Sequence, residues 1–90
     1  MIHKKIVITG NVQGVFFRQS ALQKAHELNI KGWIRNDPSG TVTASAEGKE
    51  DDVNEFVEWC RQGPPLSKVE HLYTENLPME NFYHFEIKRL

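Results

Sequence analysis

The chain has 90 residues, of which 39% are hydrophobic and 26% charged, and its formal net charge is −1. A chain of this length is expected to fold as one domain over residues 1–90, burying about 60–65% of its unfolded surface, which excludes a two-domain enzyme. The composition is that of an ordinary soluble globular protein. Lysine and arginine are scattered along the chain, so we expect no general nucleic-acid surface. Because the single cysteine, Cys60, cannot form an internal disulfide and no signal-like or long apolar span is present, we expect a cytoplasmic protein without a membrane segment.

The first third of the chain predicts a strand, a turn and a helix. Ile6, Val7 and Ile8 form an apolar, β-branched run with apolar residues on both faces, which is typical of a central strand. We expect this strand to end at Gly10 and a helix to begin near Phe17. The apolar residues of that helix recur at helical spacing and are Ala21, Leu22, Ala25 and Leu28.

The middle of the chain predicts two strands joined by a tight turn. A strand is expected over residues 31–36, and Asp37, Pro38 and Gly40 occupy preferred places of a type I turn. The third strand alternates between apolar and polar residues, so we expect one buried face and one face in water. The apolar face holds Val42, Ala44 and Ala46, and the polar face holds Thr41, Thr43, Ser45 and Glu47.

The last third predicts a second helix and two further strands. Acidic residues at 50–52 and a stop at Gly63 delimit the helix. A weaker strand over residues 68–75 is either a sheet edge or a loop, and Tyr83, Phe85 and Ile87 are expected to point inward from the final strand. The order of elements predicts an α+β fold, the ferredoxin-like split β-α-β sandwich, with two helices on one face of a four- or five-stranded, mostly antiparallel sheet.

The turn from Gly10 to Arg18 is the first candidate binding element. Gly10 and Gly14 let the backbone fold tightly, so that successive N–H groups face one point, and the helix that follows adds the positive end of its dipole. Arg18 breaks a local rule, because the dipole opposes a cation in the first turn of a helix. A bound anion would compensate at such a position, and a phosphate fits both the N–H donors and a planar guanidinium. The alternatives are a tight turn without a ligand and a solvated arginine.

Asn36 is the second candidate site residue. In a split β-α-β unit the first two strands run parallel, so their carboxyl ends lie at the same edge of the sheet. Asn36 ends the second strand at that edge, on the same face as Ile34, although an asparagine there would by itself more often cap a turn. Together with the turn and Arg18, the amide suits phosphoryl transfer in which the protein positions groups and neutralises charge. Since the motif holds no general acid, a good leaving group such as a carboxylate is required.

These motifs resemble those of a known family, the acylphosphatases, over nearly the whole chain. The residues that carry the resemblance are Gly10-x-Val12-Gln13-Gly14-Val15-x-Phe17-Arg18, then Gly32-Trp33-Ile34-x-Asn36 and Gly40-Thr41-Val42. The resemblance implies hydrolysis of carboxyl-phosphate anhydrides without a metal or cofactor. It also implies a small acyl phosphate as substrate and inorganic phosphate or sulfate as a product-like ligand, and we expect the chain to act as a monomer.

The resemblance assigns roles to individual residues. Arg18 matches the family's substrate-binding arginine, and Asn36 matches the asparagine that orients the attacking water. The matching phosphate cradle is the backbone of Asn11, Val12, Gln13, Gly14 and Val15. The substrate phosphate itself is the implied proton acceptor, consistent with the absence of a base from the motif.

Three other functions remain open on the sequence. An anion-binding regulatory module would have the same turn but no activity. An RNA-recognition module needs exposed aromatic residues among basic ones on a strand, which the polar face of the third strand lacks. The acylphosphatase-like domain of hydrogenase maturation proteins belongs to much longer polypeptides, so a chain of 90 residues favours the simple hydrolase.

The remaining reactive side chains indicate no second site. His3, His26, His71 and His84 show no metal-ligand spacing and are interpreted as surface or edge residues, so no metal site is expected. Cys60 lies on an apolar stripe and is interpreted as a core thiol. Arg61 follows it directly, which excludes the phosphate loop of a cysteine phosphatase, and no nucleotide P-loop is present.

Overall fold

The computed structural model describes residues 1–89, and its regular elements follow the periodicities of the sequence. Strand-forming runs and helical stripes alternate along these residues as they do in the sequence. The elements are β1 (Ile2–Asn11), α1 (Phe17–Glu27), β2 (Lys31–Asn36), β3 (Val42–Gly48), α2 (Glu50–Gln62), β4 (Lys68–Asn76) and β5 (Phe85–Ile87). No helix among residues 1–89 is long and apolar enough to cross a membrane.

The five strands form one mixed sheet in the order β4-β1-β3-β2-β5. β1 and β2 both run antiparallel to β3, which lies between them, so they are parallel to each other, and β5 pairs in parallel with β2. The ferredoxin-like arrangement predicted from the sequence is therefore confirmed. The weaker strand of the prediction is β4, an edge strand that pairs with β1, and β3 is the strand at the centre of the sheet.

Both helices cover one face of this sheet, with α1 against β2 and β5 and α2 against β1, β3 and β4. Ala44 and Ala46 are fully buried on β3, and their small side chains let the helix backbone approach the sheet. Burial of the aliphatic and aromatic side chains between the two layers is the main stabilising contribution. The largest of them are Phe17, Phe56, Ile6, Ile8, Ile30, Ile34, Val12, Val42 and Val53.

The prediction that the polar face of β3 lies in water was wrong. Thr43, Ser45 and Glu47 are only 4%, 2% and 2% exposed. Two features cover these residues: the connection over residues 77–84, which passes from the β4 edge to the β5 edge across the Glu47 end of the sheet, and the carboxylate of Asp37, which accepts a hydrogen bond from Thr43. Oxygens of the Glu47 carboxylate accept hydrogen bonds from the backbone N–H groups of residues 80–82, at 3.1 Å from Asn81 and 2.9 Å from Phe82.

His3, predicted at the surface or at an edge, is also buried beneath this connection. Its side chain lies edge-on to Phe82, and its Nδ1 donates to the carbonyl oxygen of Pro78 at 2.7 Å. Its Nε2 forms a hydrogen bond with the Ser45 hydroxyl. His3 and Glu47 therefore hold the connection against the sheet and are not solvated.

The final strand is shorter than predicted. β5 contains only residues 85–87, and Tyr83, expected to point inward, is 93% exposed. The chain is still part of the connection at this point, and it turns through a positive φ of 59° at Asn81 before it joins β2. Only Phe85 is buried from the predicted inward set, while Ile87 is half-buried.

Candidate active site

The register of the sheet places the ends of β1 and β2 at the same edge. Val42 of β3 pairs with Ile8 on one side and with Asn36 on the other. Neighbouring strands lie about 4.8 Å apart, so the two ends are separated by roughly 10 Å with β3 between them. The turn that follows β1 and the last residue of β2 consequently face the same region of space.

The turn between β1 and α1 needs its two glycines for different reasons. Gly10 follows a β-bulge and has a φ of 123°, and a Cβ atom at this position would lie 2.2 Å from the carbonyl oxygen of Lys68. Only glycine allows β4 to approach the turn so closely. Gly14 has a φ of 72° and open space around its missing Cβ, so its role is conformational.

A cavity of about 220 Å³ lies beside this turn. It is lined by Val12, Gly14, Phe16, Phe17, Arg18, Gln19, Asn36, Ile87 and Arg89. Four residues of the predicted site, Val12, Gly14, Arg18 and Asn36, therefore surround one cavity. Two of the lining side chains are cationic and none is acidic, so the cavity is suited to an anion.

The other three predicted cradle residues do not line the cavity. Asn11 ends β1 and pairs with Lys68, and Val15 is partly buried against the core. The side chain of Gln13 points away to the turn between β2 and β3, where Nε2 donates to the carbonyl oxygens of Asp37 and Thr41 at 2.8 and 2.9 Å. This tie between two loops was not anticipated from the sequence.

The end of β2 is held in place by the carboxylate of Asp37. Its oxygens accept hydrogen bonds from Arg35 Nε at 3.0 Å, from the Thr41 hydroxyl at 2.7 Å and from the Thr43 hydroxyl at 2.6 Å. Burial opposes the charged form, but the bonds from Thr43, Thr41 and Arg35 outweigh it and lower the pKa of Asp37. Since Asp37 directly follows Asn36, this network fixes the backbone from which the Asn36 amide projects.

The amide oxygen of Asn36 is the one buried side-chain polar atom within residues 1–89 that has no hydrogen-bond partner. Its Oδ1 is shielded from solvent and accepts no hydrogen bond from residues 1–89. Leaving such a group unsatisfied costs about 1–3 kcal/mol, and native structures pair almost all of them. The unpaired oxygen belongs to a residue that lines the cavity, so a water or ligand bound there would supply the missing hydrogen bond.

Arg18 reaches the cavity from the first turn of α1. This turn contains no acidic residue, and Arg18 forms no ion pair with any side chain of residues 1–89. The guanidinium therefore stands near the positive end of a helix dipole, and no side-chain carboxylate of residues 1–89 pairs with it. An anion in the cavity would balance the charge of the guanidinium and the positive end of the dipole.

Five lining residues were not among the predicted site residues, namely Phe16, Phe17, Gln19, Ile87 and Arg89. Arg89 follows β5 and adds the second cation; extending the alternation of Phe85 and Ile87 by two residues would have placed it on the same face. No sequence pattern predicts Phe16 at the site, because it lies between the strand and the apolar stripe of the helix and belongs to neither periodicity.

The other reactive groups lie elsewhere. Cys60 is fully buried in the core, as predicted, and burial raises the pKa of its thiol. A larger groove of about 600 Å³ lies between α1 and the end of α2, but it contains none of the predicted site residues. Within residues 1–89, no three His, Cys, Asp or Glu side chains are close enough together to hold a metal ion.

Fold and site together define a small ferredoxin-like α+β domain with a cationic cavity at the carboxyl ends of two parallel strands. The family model described as Acylphosphatase matches residues 4–87. A curated relative named acylphosphatase, from Trichormus variabilis, is 43% identical over 90 residues, which cover 100% of this chain and 89% of the relative. The chain belongs to the acylphosphatase family of hydrolases.

Solved structures agree with this assignment. The crystal structure of acylphosphatase from Bacillus subtilis superposes with a TM-score of 0.96 at 33% identity, covering 99% of this chain and 100% of that one. Full-length HypF in a phosphate- and nucleotide-bound form matches with a TM-score of 0.91 at 29% identity. That match covers 98% of this chain but only 12% of HypF.

Proposed function

We propose that the chain acts as a single domain that hydrolyses acyl phosphates to a carboxylate and inorganic phosphate without a metal ion. The observation that carries the proposal is that Arg18 and Asn36 line one cavity beside the glycine turn, and that the amide oxygen of Asn36 has no hydrogen-bond partner within residues 1–89. The guanidinium of Arg18 supplies positive charge, and the amide oxygen of Asn36 supplies a hydrogen-bond acceptor. Membership of the acylphosphatase family supports the same reaction.

The phosphoryl group is proposed to bind between Arg18 and the backbone N–H groups of residues 11–15. A guanidinium presents paired donors that match two phosphoryl oxygens, and a turn with successive N–H groups supplies further donors. Among residues 1–89, no acidic side chain lines the cavity, so none of these side chains repels the anion. Arginine and backbone donors here supply the charge neutralisation that a cation supplies in other phosphoryl-transfer sites.

Asn36 is proposed to orient the attacking water. Its unpaired Oδ1 accepts a hydrogen bond from the water, which holds a lone pair of the water oxygen toward phosphorus. The new bond forms between the water oxygen and phosphorus while the bond from phosphorus to the carboxyl oxygen breaks. A phosphoryl oxygen takes the proton, and the carboxylate leaves with the electron pair, so no protein acid or base is required.

The proposal is tested by release of inorganic phosphate from acetyl phosphate and benzoyl phosphate in the presence of a chelator. We expect multiple turnovers that are unaffected by the chelator. No release would contradict the proposed function, and release only after addition of a divalent cation would contradict the metal-free mechanism. Thermal stabilisation by phosphate without hydrolysis would indicate an anion-binding module instead.

A further inference from the structure

Phe16 departs from three local rules at once. It is the N-cap of α1 but makes no side-chain cap, whereas Ser, Thr, Asp or Asn is preferred there. Its backbone is left-handed, with φ 65° and ψ 22°. Its aromatic side chain is 71% exposed.

The left-handed backbone is the most informative of the three. Within residues 1–89, the other non-glycine residues with positive φ are Asn29 and Asn81, and asparagine is the type that tolerates this conformation. An aromatic side chain does not, so Phe16 carries a steric cost that asparagine or glycine would avoid. Strained residues of this kind concentrate at sites of function.

Packing does not explain the aromatic ring. Phe16 belongs neither to the core cluster nor to the partly buried residues that pack against it, and it forms no aromatic pair within residues 1–89. Phe16 is instead one of the residues that line the cavity, together with the half-buried Ile87. The largest exposed apolar group of the turn thus stands at the candidate active site.

Burial differs between the residues that line the cavity. The amide oxygen of Asn36 is shielded from solvent, whereas Phe16 is 71% exposed, so Asn36 lies toward the inner end and Phe16 toward the mouth. At about 220 Å³ the cavity is smaller than the roughly 300–1,000 Å³ of pockets that enclose drug-sized ligands. A phosphoryl group at the inner end therefore leaves a larger acyl group at the mouth.

We propose that Phe16 is a specificity-determining residue that contacts the acyl group and favours acyl phosphates whose acyl group is flat and apolar. This inference rests on the proposed function, because it assumes that the phosphoryl group binds at the inner end. An exposed aromatic ring offers a face on which a planar group stacks, and such a contact is favourable beyond the apolar area that it buries. The ring loses part of its exposure when the substrate is bound, which compensates for its cost in the free protein.

The test compares kcat/KM for benzoyl phosphate with kcat/KM for acetyl phosphate in Phe16→Asn. Asparagine is compatible with the left-handed backbone and preferred at an N-cap, so we expect a Tm equal to or above that of the parent chain. The ratio of the two kcat/KM values should fall by roughly 10-fold, the size of effect that a lost apolar contact has on discrimination. Phe16→Tyr retains the ring and should keep the parent ratio.

Tyr83→Asn is the matched control, since Tyr83 is an aromatic residue that is 93% exposed and does not line the cavity. Its ratio should equal that of the parent chain. An unchanged ratio in Phe16→Asn would overturn the inference while leaving acyl phosphate hydrolysis intact. A lowered Tm with equal loss on both substrates would also overturn it, because Phe16 would then be structural. Failure of the parent chain to hydrolyse either substrate would instead refute the proposed function.

Discussion

Arg18 and Asn36 reach the cavity from different elements, and each is proposed to act at a different step. Arg18 carries a full charge and is expected to hold the phosphoryl group both before and during the reaction. The amide of Asn36 is neutral and unpaired, and it is expected to act on the water, which matters only as the transition state forms. Substitution of each residue should therefore have a different kinetic signature.

Arg18→Ala should weaken phosphate binding and lower kcat/KM together. It removes a charge-assisted contact worth about 1.5–3 kcal/mol, which corresponds to roughly 10- to 150-fold in affinity. Isothermal titration with inorganic phosphate and steady-state kinetics measure the two effects. Arg61→Ala is the control, because Arg61 is exposed on α2 and pairs only with Glu58. Unchanged phosphate affinity in Arg18→Ala would contradict the assigned role.

Asn36→Ala should lower kcat by roughly 100-fold or more while changing KM little, as expected when an interaction made in the transition state is lost. It should not destabilise the fold, because the amide oxygen that it removes is buried without a partner in the free protein. Kinetics and a thermal melt on the same preparation check both parts. Full kcat in this variant would contradict the water-orienting role.

At the scale of elements, the site depends on two loops that are joined by one side chain. Gln13 of the first turn donates to the carbonyl oxygens of Asp37 and Thr41 in the second, and Asp37 in turn holds the end of β2. The cavity between Arg18 and Asn36 therefore keeps its width because the two loops are bonded to each other.

Gln13→Ala should lower the free energy of unfolding by about 1–2 kcal/mol, since two hydrogen bonds to partly buried carbonyls are lost. It should also lower kcat/KM, because the two halves of the site are no longer tied. Urea unfolding and kinetics measure the effects, and Gln23→Ala, at an exposed position of α1, is the control. If Gln13→Ala matched that control in both measurements, the tie would have no role in the site.

At the scale of the whole molecule, the connection over residues 77–84 covers one end of the sheet face that the helices leave uncovered. Glu47 anchors it through backbone N–H groups. Burial opposes the charged form, but those bonds and the nearby His3 outweigh it and lower the pKa of Glu47 below its usual range. Asp37 has a lowered pKa for a related reason.

These two carboxylates predict the sign of the acid dependence. Because their pKa values are lower in the folded state, the unfolded chain binds more protons between the folded and unfolded pKa values. Their stabilising contribution is therefore complete above the ordinary pKa values of 3.8 and 4.5 and is lost as pH falls through the folded pKa values.

Urea unfolding from pH 7 to pH 2 should show this loss. Glu47→Gln should reduce the pH dependence and lower the free energy of unfolding by about 2 kcal/mol or more at pH 7. Glu70→Gln, exposed on β4, should behave as the parent chain; an unaltered acid limb in Glu47→Gln would contradict the assignment.

The sequence predicted what local periodicity and turn chemistry determine, and missed what depends on the path of one long connection. Both helices, the tight turn at residues 37–40 and the buried alanines of β3 were predicted because each has a signal within a few neighbouring residues. The burial of His3 and Glu47 has no such signal, because the groups that cover them lie more than thirty residues away along the chain. Tyr83 was misplaced because it belongs to this connection and precedes the start of β5. Arg18 and Asn36 were placed at one edge by the parallel arrangement of β1 and β2, whereas Arg89 lies beyond the end of β5 and would have been found only by extending the alternation of Phe85 and Ile87.

The most direct measurement is a crystal structure determined after soaking with phosphate or sulfate. We expect one anion in the cavity, bound by the Arg18 guanidinium and by backbone N–H groups of residues 11–15, with the Asn36 amide facing the open side of the anion. A guanidinium turned into bulk solvent, with no anion beside the turn at saturating phosphate, would contradict the central claim.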